Sequence, residues 1–368
     1  MKINKINLLN FKNITSASVE LSDKINVFYG MNAQGKTNFL ESLYLLSGQK
    51  SLRGLNDDEL IKFNEVKAKI VAELNLEERE QKVSVEILPE NREYSLNGIL
   101  VKSPEMAKKV PIITFLPTSL ETIKGGPALR RQFLDQAISK IMPKFLKLTK
   151  EYERNLRQRN AVLKEMRHGQ NFGEMLTVFD ERVAHLGSKI IMIRLKYVNE
   201  LLKCSEKIYQ KVSKNTEKID ITYILKDIDL LEKSEEIVYN NLIDKLRENL
   251  DVDVQKVSTS VGPHRDDILI TINKLDSRKF ASQGQQRSLI LTLKFAECEI
   301  LRESLKEEPI ILLDDVFSEL DHKRREFILK KSRGMQVFIT SCNNEQEFLN
   351  NIDTKFFKVD NGEINTHE

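Results

Sequence analysis

The 368-residue chain has no tryptophan, only three cysteines and only five histidines. Cys204, Cys298 and Cys342 are solitary and odd in number, a pattern that suits a reducing cytoplasm. There is no C-x-x-C pair, and no two histidines stand at metal-ligand spacing, which argues against a zinc site. We therefore expect a cytoplasmic protein without zinc.

The chain also lacks long apolar runs. No stretch approaches the ~18 uncharged apolar residues that a membrane-spanning helix needs, so we expect no membrane partner. Residues 1–6 alternate like a strand and lack the apolar core of a signal peptide. An apolar content of 40% and a charged content of 31% predict a soluble protein rich in exposed helix. The length is sufficient for two lobes.

One motif of the form G-x-x-x-x-G-K-[ST] is complete, and its flanks agree with it. It consists of Gly30, Met31, Asn32, Ala33, Gln34, Gly35, Lys36 and Thr37. The apolar run 25–29 before it predicts a buried parallel strand, and the apolar spacing at 39, 40, 43 and 46 predicts a helix after it. A glycine-rich turn without a ligand is the alternative, but it requires eight positions and both flanks to match by chance.

Each part of this motif has a role in holding phosphate. Gly30 and Gly35 let the backbone approach the phosphate oxygens, and the helix N-terminus attracts the anion. Lys36 reaches the β- and γ-phosphates, and Thr37 can ligate Mg²⁺. The motif therefore predicts ATP and Mg²⁺ as cofactors.

A second nucleotide motif lies far along the chain. Residues 309–315 read Pro-Ile-Ile-Leu-Leu-Asp-Asp, an apolar strand that ends in two acids. Asp314 would hold Mg²⁺ directly or through water, and Asp315 would orient or activate the attacking water. The alternative is a buried strand followed by a solvated acidic turn. With Lys36, these two acids are the predicted catalytic residues.

A third motif stands between the first two in the order that ABC-type ATPases use. Ser282, Gly284 and Gln285 precede a long helix and resemble the signature motif of that family, and residues 318–321 resemble its D-loop. In that family the signature motif caps the γ-phosphate held by a second subunit, which implies an ATP-dependent homodimer. A helix N-terminus with small residues is physically suited to an anion, although Ser282 can also be an ordinary N-cap.

A basic segment runs from residue 130 to residue 168. It contains 11 Lys and Arg against 4 Asp and Glu, a net charge of +7 in a chain whose total is +3. Such a segment suggests an anionic polymer such as DNA. A solvated helix face is the alternative, and without a family argument the two carry similar weight.

The pattern of predicted elements indicates an α/β fold with a discontinuous ATPase head. Residues 1–120 and 255–368 are predicted to form this head, mostly from strands, with a hairpin turn at Asn97-Gly98. Residues 121–254 are predicted to be a helical insertion of the short antiparallel arm type. Its clearest sign is an apolar stripe from Met175 to Ile208 at steps of three and four, which predicts one long packed helix.

An ABC-type head split by a helical arm resembles the SMC-like DNA-repair ATPases, although this arm is too short for an SMC coiled coil. Four further stretches narrow the resemblance to the RecF family of bacterial recombination mediators. They are residues 9–13, 124–135, 261–267 and 282–287. The resemblance covers essentially the whole chain.

The resemblance implies an ATP-driven homodimer that binds double-stranded DNA and single-strand/double-strand junctions. It also implies RecO and RecR as partners in loading recombinase at gaps during DNA repair and replication. No histidine follows the strand 336–339, which suits a weak, DNA-dependent ATPase that acts as a switch.

Several residues take their predicted roles from the same resemblance. Lys12 and Asn13 would lie near the nucleotide, and Arg53 near nucleotide or DNA. For His264-Arg265-Asp266, a functional role and a buried structural network are equally open.

Two other functions compete with this one. An ABC subunit of a membrane transporter would share the nucleotide motifs, but the basic insertion and the missing histidine argue against it. A nucleotide kinase that shares only the phosphate loop would leave Ser282 to Gln285 without a role.

Overall fold

A computed structural model describes residues 1–76, 79–170, 172–226, 234–317, 320–342, 349 and 353–367. The chain forms two compact units, one of Met1–Leu120 with Leu291–Glu368 and the other of Glu121–Ile290. The second boundary therefore lies later than the predicted boundary at 254/255. Backbone pairing explains the difference, because the strand Asp267–Ile272 pairs with the strand Ile219–Ile224 and so stays with the insertion.

The first unit contains two six-stranded sheets. One is antiparallel, in the order β2-β1-β4-β5-β6-β7. Its strands are β1 (Lys2–Phe11), β2 (Ile14–Glu20), β4 (Ala68–Leu76), β5 (Arg79–Leu88), β6 (Asn91–Leu96) and β7 (Ile99–Val101). The predicted turn at Asn97-Gly98 is confirmed: it joins β6 to β7, and both residues have the positive φ that a tight hairpin turn requires.

The other sheet has the order β15-β14-β3-β13-β12-β8. Its strands are β3 (Ile25–Tyr29), β8 (Ile112–Phe115), β12 (Ile310–Asp314), β13 (Val337–Ser341), β14 (Thr354–Asp360) and β15 (Glu363–His367). All neighbours pair in parallel except β15, which returns antiparallel along β14. The buried parallel strand predicted at 25–29 is confirmed as β3, and the apolar strand predicted to end in two acids is confirmed as β12. One strand, β13, lies between them.

The helices described in the first unit include α1 (Lys36–Leu45), α2 (Ser103–Lys109), α11 (His322–Lys331) and the larger part of α10 (Gln283–Leu305), which continues into it after Ile290. An aromatic cluster fixes α1 against the parallel sheet. The Phe28 ring lies 4.1 Å from that of Phe39 on α1 and 4.7 Å from that of Phe357 on β14, centroid to centroid. Because all three side chains are fully buried, the loop between β3 and α1 is anchored at both ends.

The second unit is mostly helical. Its helices are α3 (Glu121–Lys124), α4 (Pro127–Ile141), α5 (Pro143–Arg167), α6 (Gly173–Val212), α7 (Glu235–Glu248), α8 (Leu250–Lys256), α9 (Ser277–Phe280) and the start of α10 (Gln283–Leu305). The long helix predicted from the apolar stripe is confirmed as α6, whose 40 residues extend ~60 Å and pack against α5.

This unit also contains a small sheet of β9 (Ile219–Ile224), β10 (Asp267–Ile272) and β11 (Leu275–Asp276). The strand β9 was missed, although its sequence carries a signal. Ile219, Ile221 and Tyr223 are buried and alternate with exposed residues, the period of a half-buried strand.

Candidate nucleotide site

The phosphate-binding loop connects β3 to α1, as predicted, and its two glycines are required by close contacts. A Cβ at Gly30 would lie 2.3 Å from the carbonyl oxygen of Val359 on β14. A Cβ at Gly35 would lie 2.8 Å from the side-chain nitrogen of Asn13. Both residues also have positive φ, 154° and 114°, where glycine is favoured. The motif therefore forms a narrow cradle that larger residues would fill.

Lys36 curls back over this cradle. Its Nζ donates hydrogen bonds to the carbonyl oxygens of Gly30 at 2.7 Å and Met31 at 2.8 Å. The side chain is buried, so the cation is held at the mouth of the loop rather than in bulk solvent. This placement suits a lysine that neutralises phosphate charge.

Asn13 braces the loop from the side. Its Nδ2 donates to the carbonyl of Gln34 at 3.0 Å, and its Oδ1 accepts from Asn38 on α1 at 2.7 Å. Asn13 therefore supports the loop, which is a more specific role than proximity to nucleotide.

The turn between β14 and β15 also supports the loop, and no sequence motif predicted this contact. The backbone N–H groups of Asn361 and Gly362 donate to the side-chain and main-chain oxygens of Gln34, at 2.6 and 2.9 Å. The Asn-Gly pair after an apolar run was the available signal.

Lys12 lies beside α1, and its side chain is paired with an acid of that helix. Its ammonium forms an ion pair with the fully buried Glu41, whose other oxygen accepts from the Ser51 hydroxyl. The predicted contact of Lys12 with nucleotide thus stays a prediction, and the structure gives the side chain a local partner. Glu41 was missed because it lies on the other side of α1 from the apolar positions 39, 40, 43 and 46, where an acid is expected to be solvated.

Asp314 joins the phosphate loop to the end of β12. Its Oδ1 accepts from the Thr37 hydroxyl at 2.8 Å and from the Thr340 hydroxyl on β13, also at 2.8 Å. Burial raises the pKa of the Asp314 carboxyl above its ordinary value, and these two hydrogen bonds oppose that shift. Thr340 was missed, because only the order of the strands shows that β13 lies between β3 and β12 and brings Thr340 beside Asp314.

Asp315 turns away directly after the strand. Its φ of 52° is in the left-handed region, and its backbone N–H donates to the Thr340 hydroxyl at 2.9 Å. The two acids therefore have different surroundings. The exposed Arg53 is close enough for its charge to lower the pKa of Asp314, although the net shift of that pKa is upward because of burial.

These residues fit a magnesium-nucleotide pair. Thr37 and Asp314 bring a hydroxyl and a carboxylate oxygen to within 2.8 Å of each other, and oxygen ligands are what Mg²⁺ prefers. Within the described residues, no group of three or more His, Cys, Asp or Glu side chains is placed to hold a metal. A magnesium ion at this position would therefore take its remaining ligands from phosphate and water.

The signature-like motif lies in the second unit, and its described contacts are within that unit. The Ser282 N–H donates to Gln285 Oε1 at 2.8 Å, and the Gln285 N–H donates to the Ser282 hydroxyl at 3.2 Å. This reciprocal pair is a capping box at the start of α10, next to Gly284. In the predicted D-loop, residues 318–319 lie outside the described residues.

The stretches 124–135 and 261–267 meet in a buried polar network. Arg130 forms a bidentate ion pair with Asp267 at 2.7 and 2.8 Å, and Arg194 forms one with Asp135. His264 accepts from the Tyr152 hydroxyl at 2.7 Å and donates to the Thr259 carbonyl at 3.0 Å.

The titration of this network agrees with a structural role. Burial lowers the pKa of His264 to about 4 and raises the pKa of Asp266 to about 6. His264 is therefore neutral near pH 7. Of the two alternatives left open for His264-Arg265-Asp266, the contacts support the buried structural network.

The basic segment divides into buried and exposed cations. Arg130, Lys140 and Arg159 are buried, and Arg159 pairs with Asp180 at 2.6 Å and Asp253 at 2.7 Å. The remaining cations of α5 are exposed. They are Lys144, Lys147, Lys150, Arg154, Arg157, Lys164 and Arg167.

Comparison with known proteins gives consistent matches over the full chain. The model of the RecF/RecN/SMC N terminal domain family matches residues 2–365. The DNA replication and repair protein RecF of Clostridium tetani is 38% identical over 370 residues, which is 99% of each chain. That of Thermoanaerobacter pseudethanolicus is 38% identical over 367 residues, again 99% of each.

Solved structures agree. A structure of the recombination mediator protein RecF with ATPrS, described within the RecFOR pathway, superimposes with a TM-score of 0.91 at 34% identity. It covers 100% of this chain and 98% of that one. An Smc head domain from Pyrococcus furiosus matches with a TM-score of 0.56 at 16% identity over 100% of this chain and 96% of that one, and so shows fold alone. The predicted α/β fold with an ABC-type ATPase head is confirmed.

Proposed function

The chain belongs to the RecF family of the RecF/RecN/SMC proteins, and from that premise we propose that it is an ATP-dependent DNA-binding protein of replication and recombinational repair. ATP would drive two copies together on DNA, at double-stranded regions and at junctions with single strands. Slow hydrolysis would release them, so that the ATPase acts as a switch in the cytoplasm. Partners corresponding to RecO and RecR would then load recombinase at gaps.

The observation that carries the nucleotide part of this proposal is the bond between Thr37 and Asp314. These residues are far apart in the sequence, yet their side-chain oxygens lie 2.8 Å apart beside the loop that Lys36 covers. One solved RecF structure contains ATP, and its 34% identity over the whole chain supports the same ligand here. A structural turn alone would not need a buried cation, a hydroxyl and a carboxylate at one loop.

The residues of the site suggest how they act on ATP. Lys36 and the loop N–H groups would bind and orient the phosphates, and Thr37 and Asp314 would hold Mg²⁺, which would neutralise phosphate charge. Asp315 orients or deprotonates the attacking water. The backbone bond from Asp315 to Thr340 fixes the position of that acid relative to Asp314.

Replacing Lys36 with alanine is expected to weaken ATP binding by roughly 10–150-fold. The charge-assisted bonds that the ammonium gives to phosphate contribute about 1.5–3 kcal/mol in such a site, and 1.4 kcal/mol corresponds to about one decade. Isothermal titration calorimetry measures the effect. Lys24→Ala, which removes an exposed lysine before β3, is the matched control. Unchanged affinity in Lys36→Ala would refute the site.

The exposed cations of α5 support the DNA part of the proposal. The buried face of this helix includes Phe145, Tyr152 and Val162, and the cations recur mostly every three or four residues on the other side. Lys144 to Arg167 spans ~35 Å of helix, about one turn of B-DNA. This surface is suited to phosphates rather than to base edges, so we expect binding without sequence preference.

Replacing Lys147, Lys150, Arg154 and Arg157 together with glutamine should reduce the salt dependence of DNA binding. The slope of log K against log[salt] is negative, and each lost phosphate contact reduces its magnitude by about 0.9, so the magnitude should fall by about 3–4 for each copy bound. Fluorescence anisotropy with a labelled duplex across a salt series gives the slope. The control replaces four exposed lysines of the second unit, Lys196, Lys203, Lys207 and Lys211, with glutamine. Equal slopes in both variants would place the DNA surface elsewhere.

The transporter alternative is not favoured. The match to the RecF/RecN/SMC N terminal domain family covers residues 2–365 and so includes the helical insertion between the nucleotide motifs. No helix among the described residues combines the length and apolar character needed to cross a bilayer. An ATPase subunit of a transporter needs no such helix either, so the choice between the two functions rests on the family match. The kinase alternative would leave the capping box at Ser282 and its link to the rest of the second unit without a function.

A further inference from the structure

The turn from Ser282 to Gln285, called the signature turn below, is held by a residue that no sequence motif identifies. Gln285 Nε2 donates a hydrogen bond to Glu217 Oε1 at 2.7 Å. The other carboxylate oxygen, Glu217 Oε2, accepts from the hydroxyl of Tyr209 at 2.6 Å. Glu217 lies between the end of α6 and the start of β9, and Tyr209 is in the last turn of α6. A single carboxylate thus connects the long helix to the turn at Ser282.

The two halves of the capping box have unequal geometry. The bond from the Gln285 N–H to the Ser282 hydroxyl is 3.2 Å, the long end of the usual range, whereas the bond from the Ser282 N–H to Gln285 Oε1 is 2.8 Å. The Gln285 side chain therefore secures the turn more firmly than the serine hydroxyl does. Because Ser282 is exposed, its hydroxyl can turn to another acceptor while the Gln285 bond keeps the start of α10 in place.

This arrangement depends on the rotamer of Gln285. A glutamine side chain has three rotatable bonds, and holding it in one conformation costs entropy that a bond to a fixed partner must offset. Glu217 is partly buried and negatively charged, so its bond to the amide is stronger than a neutral one. Tyr209 is buried and in turn fixes the carboxylate.

We infer that Glu217 is a positioning residue for the signature turn. It holds Gln285 so that Ser282 presents its hydroxyl and the N-terminus of α10 to the nucleotide of a second copy, and through Tyr209 it connects that turn to α6. The inference rests on the proposed ATP-driven homodimer. Because α6 packs against the basic helix α5, a change at the DNA surface has a direct structural route to the signature turn.

The test compares Glu217→Ala with Glu217→Gln, Tyr209→Phe and Gln285→Ala. Sedimentation velocity at saturating ATP and Mg²⁺ gives the dimer dissociation constant, and calorimetry on dilute protein gives ATP affinity. Glu217→Ala should weaken dimerisation by roughly 10–100-fold, the range for one charge-assisted bond, with ATP affinity of the monomer within about twofold of normal. Glu217→Gln should restore part of the loss, since its carbonyl oxygen can accept one of the two bonds. Tyr209→Phe should have a smaller effect.

Controls separate positioning from general stability. Glu206→Ala removes an exposed acid from α6 and should leave dimerisation unchanged. The double variant Glu217→Ala/Gln285→Ala should lose less than the sum of the two single losses, because the bond between Glu217 and Gln285 is removed in both single variants. Additive losses, or a lowered Tm with unchanged dimerisation, would mean that Glu217 only stabilises the fold. If Glu217→Ala does not fold, the same comparison of two single variants with the double variant is made with Glu217→Gln in its place.

Failure of the inference is distinguishable from failure of the proposed function. If the unmodified protein stays monomeric with ATP, the homodimer itself is wrong and the inference falls with it. If the unmodified protein dimerises and Glu217→Ala does so equally well, only the role of Glu217 is overturned.

Discussion

Replacing Asp315 with asparagine is expected to slow ATP hydrolysis by about 10²–10⁴-fold and to accumulate an ATP-bound dimer. The amide cannot take a proton from the attacking water, whereas the binding groups, Lys36, Thr37 and Asp314, are unchanged. The backbone should also be preserved. Asp315 has a φ of 52°, and asparagine tolerates this conformation well. The bond from its N–H to Thr340 comes from the main chain and survives the substitution.

Single-turnover hydrolysis and sedimentation velocity together test this expectation. The control is Asp23→Asn, which makes the same chemical change at an exposed acid before β3. Hydrolysis at the normal rate in this variant would contradict the proposed catalytic role of Asp315. One that hydrolyses slowly but remains monomeric at saturating ATP and Mg²⁺ would contradict the ATP-driven dimer.

Replacing Ser282 with arginine is expected to abolish ATP-driven dimerisation and to weaken DNA binding by roughly 10²–10⁴-fold. Ser282 is exposed in the single chain, so a long side chain fits there without disturbing the second unit. In the proposed dimer the same side chain would clash with the phosphate loop of the second copy. The DNA effect follows because clamping two basic surfaces on one duplex makes the second contact effectively intramolecular.

The loss of the N-cap is a separate and smaller effect, about 1 kcal/mol. Ser282→Thr keeps a hydroxyl cap and serves as the control. ATP affinity of the monomer, measured by calorimetry, should be unchanged in both variants because the phosphate loop lies in the other unit. Tight DNA binding by a monomeric Ser282→Arg protein would show that DNA affinity does not depend on dimerisation.

The sequence by itself determined the parts of the protein that depend on contiguous residues. The loop at residues 30–37 was identifiable because its glycines, lysine and threonine form one contiguous motif, with a strand before it and a helix after it. The hairpin at Asn97-Gly98 and the long helix α6 were identifiable for the same reason, since turn chemistry and apolar period are local properties.

Only the tertiary structure decided which distant residues meet. Asp314 and Thr340 share a position in the ladder between β12 and β13, and no local pattern shows that register. For the same reason, the net charge of the basic segment overstates the charge that the folded protein exposes. Arg130 and Arg159 count as cations in the sequence, but folding buries them against Asp267 and against Asp180 and Asp253.

The domain boundary and the inferred role of Glu217 also depend on which distant residues the fold brings together. Backbone pairing between β9 and β10 keeps residues after 255 in the second unit, and a single carboxylate connects Tyr209 to Gln285. Both depend on contacts between residues more than forty positions apart. Such contacts form because a polar group removed from water must find a partner wherever the fold brings one. Sequence periodicity records which residues are buried, whereas the identity of their partners is set by the packing of the whole chain.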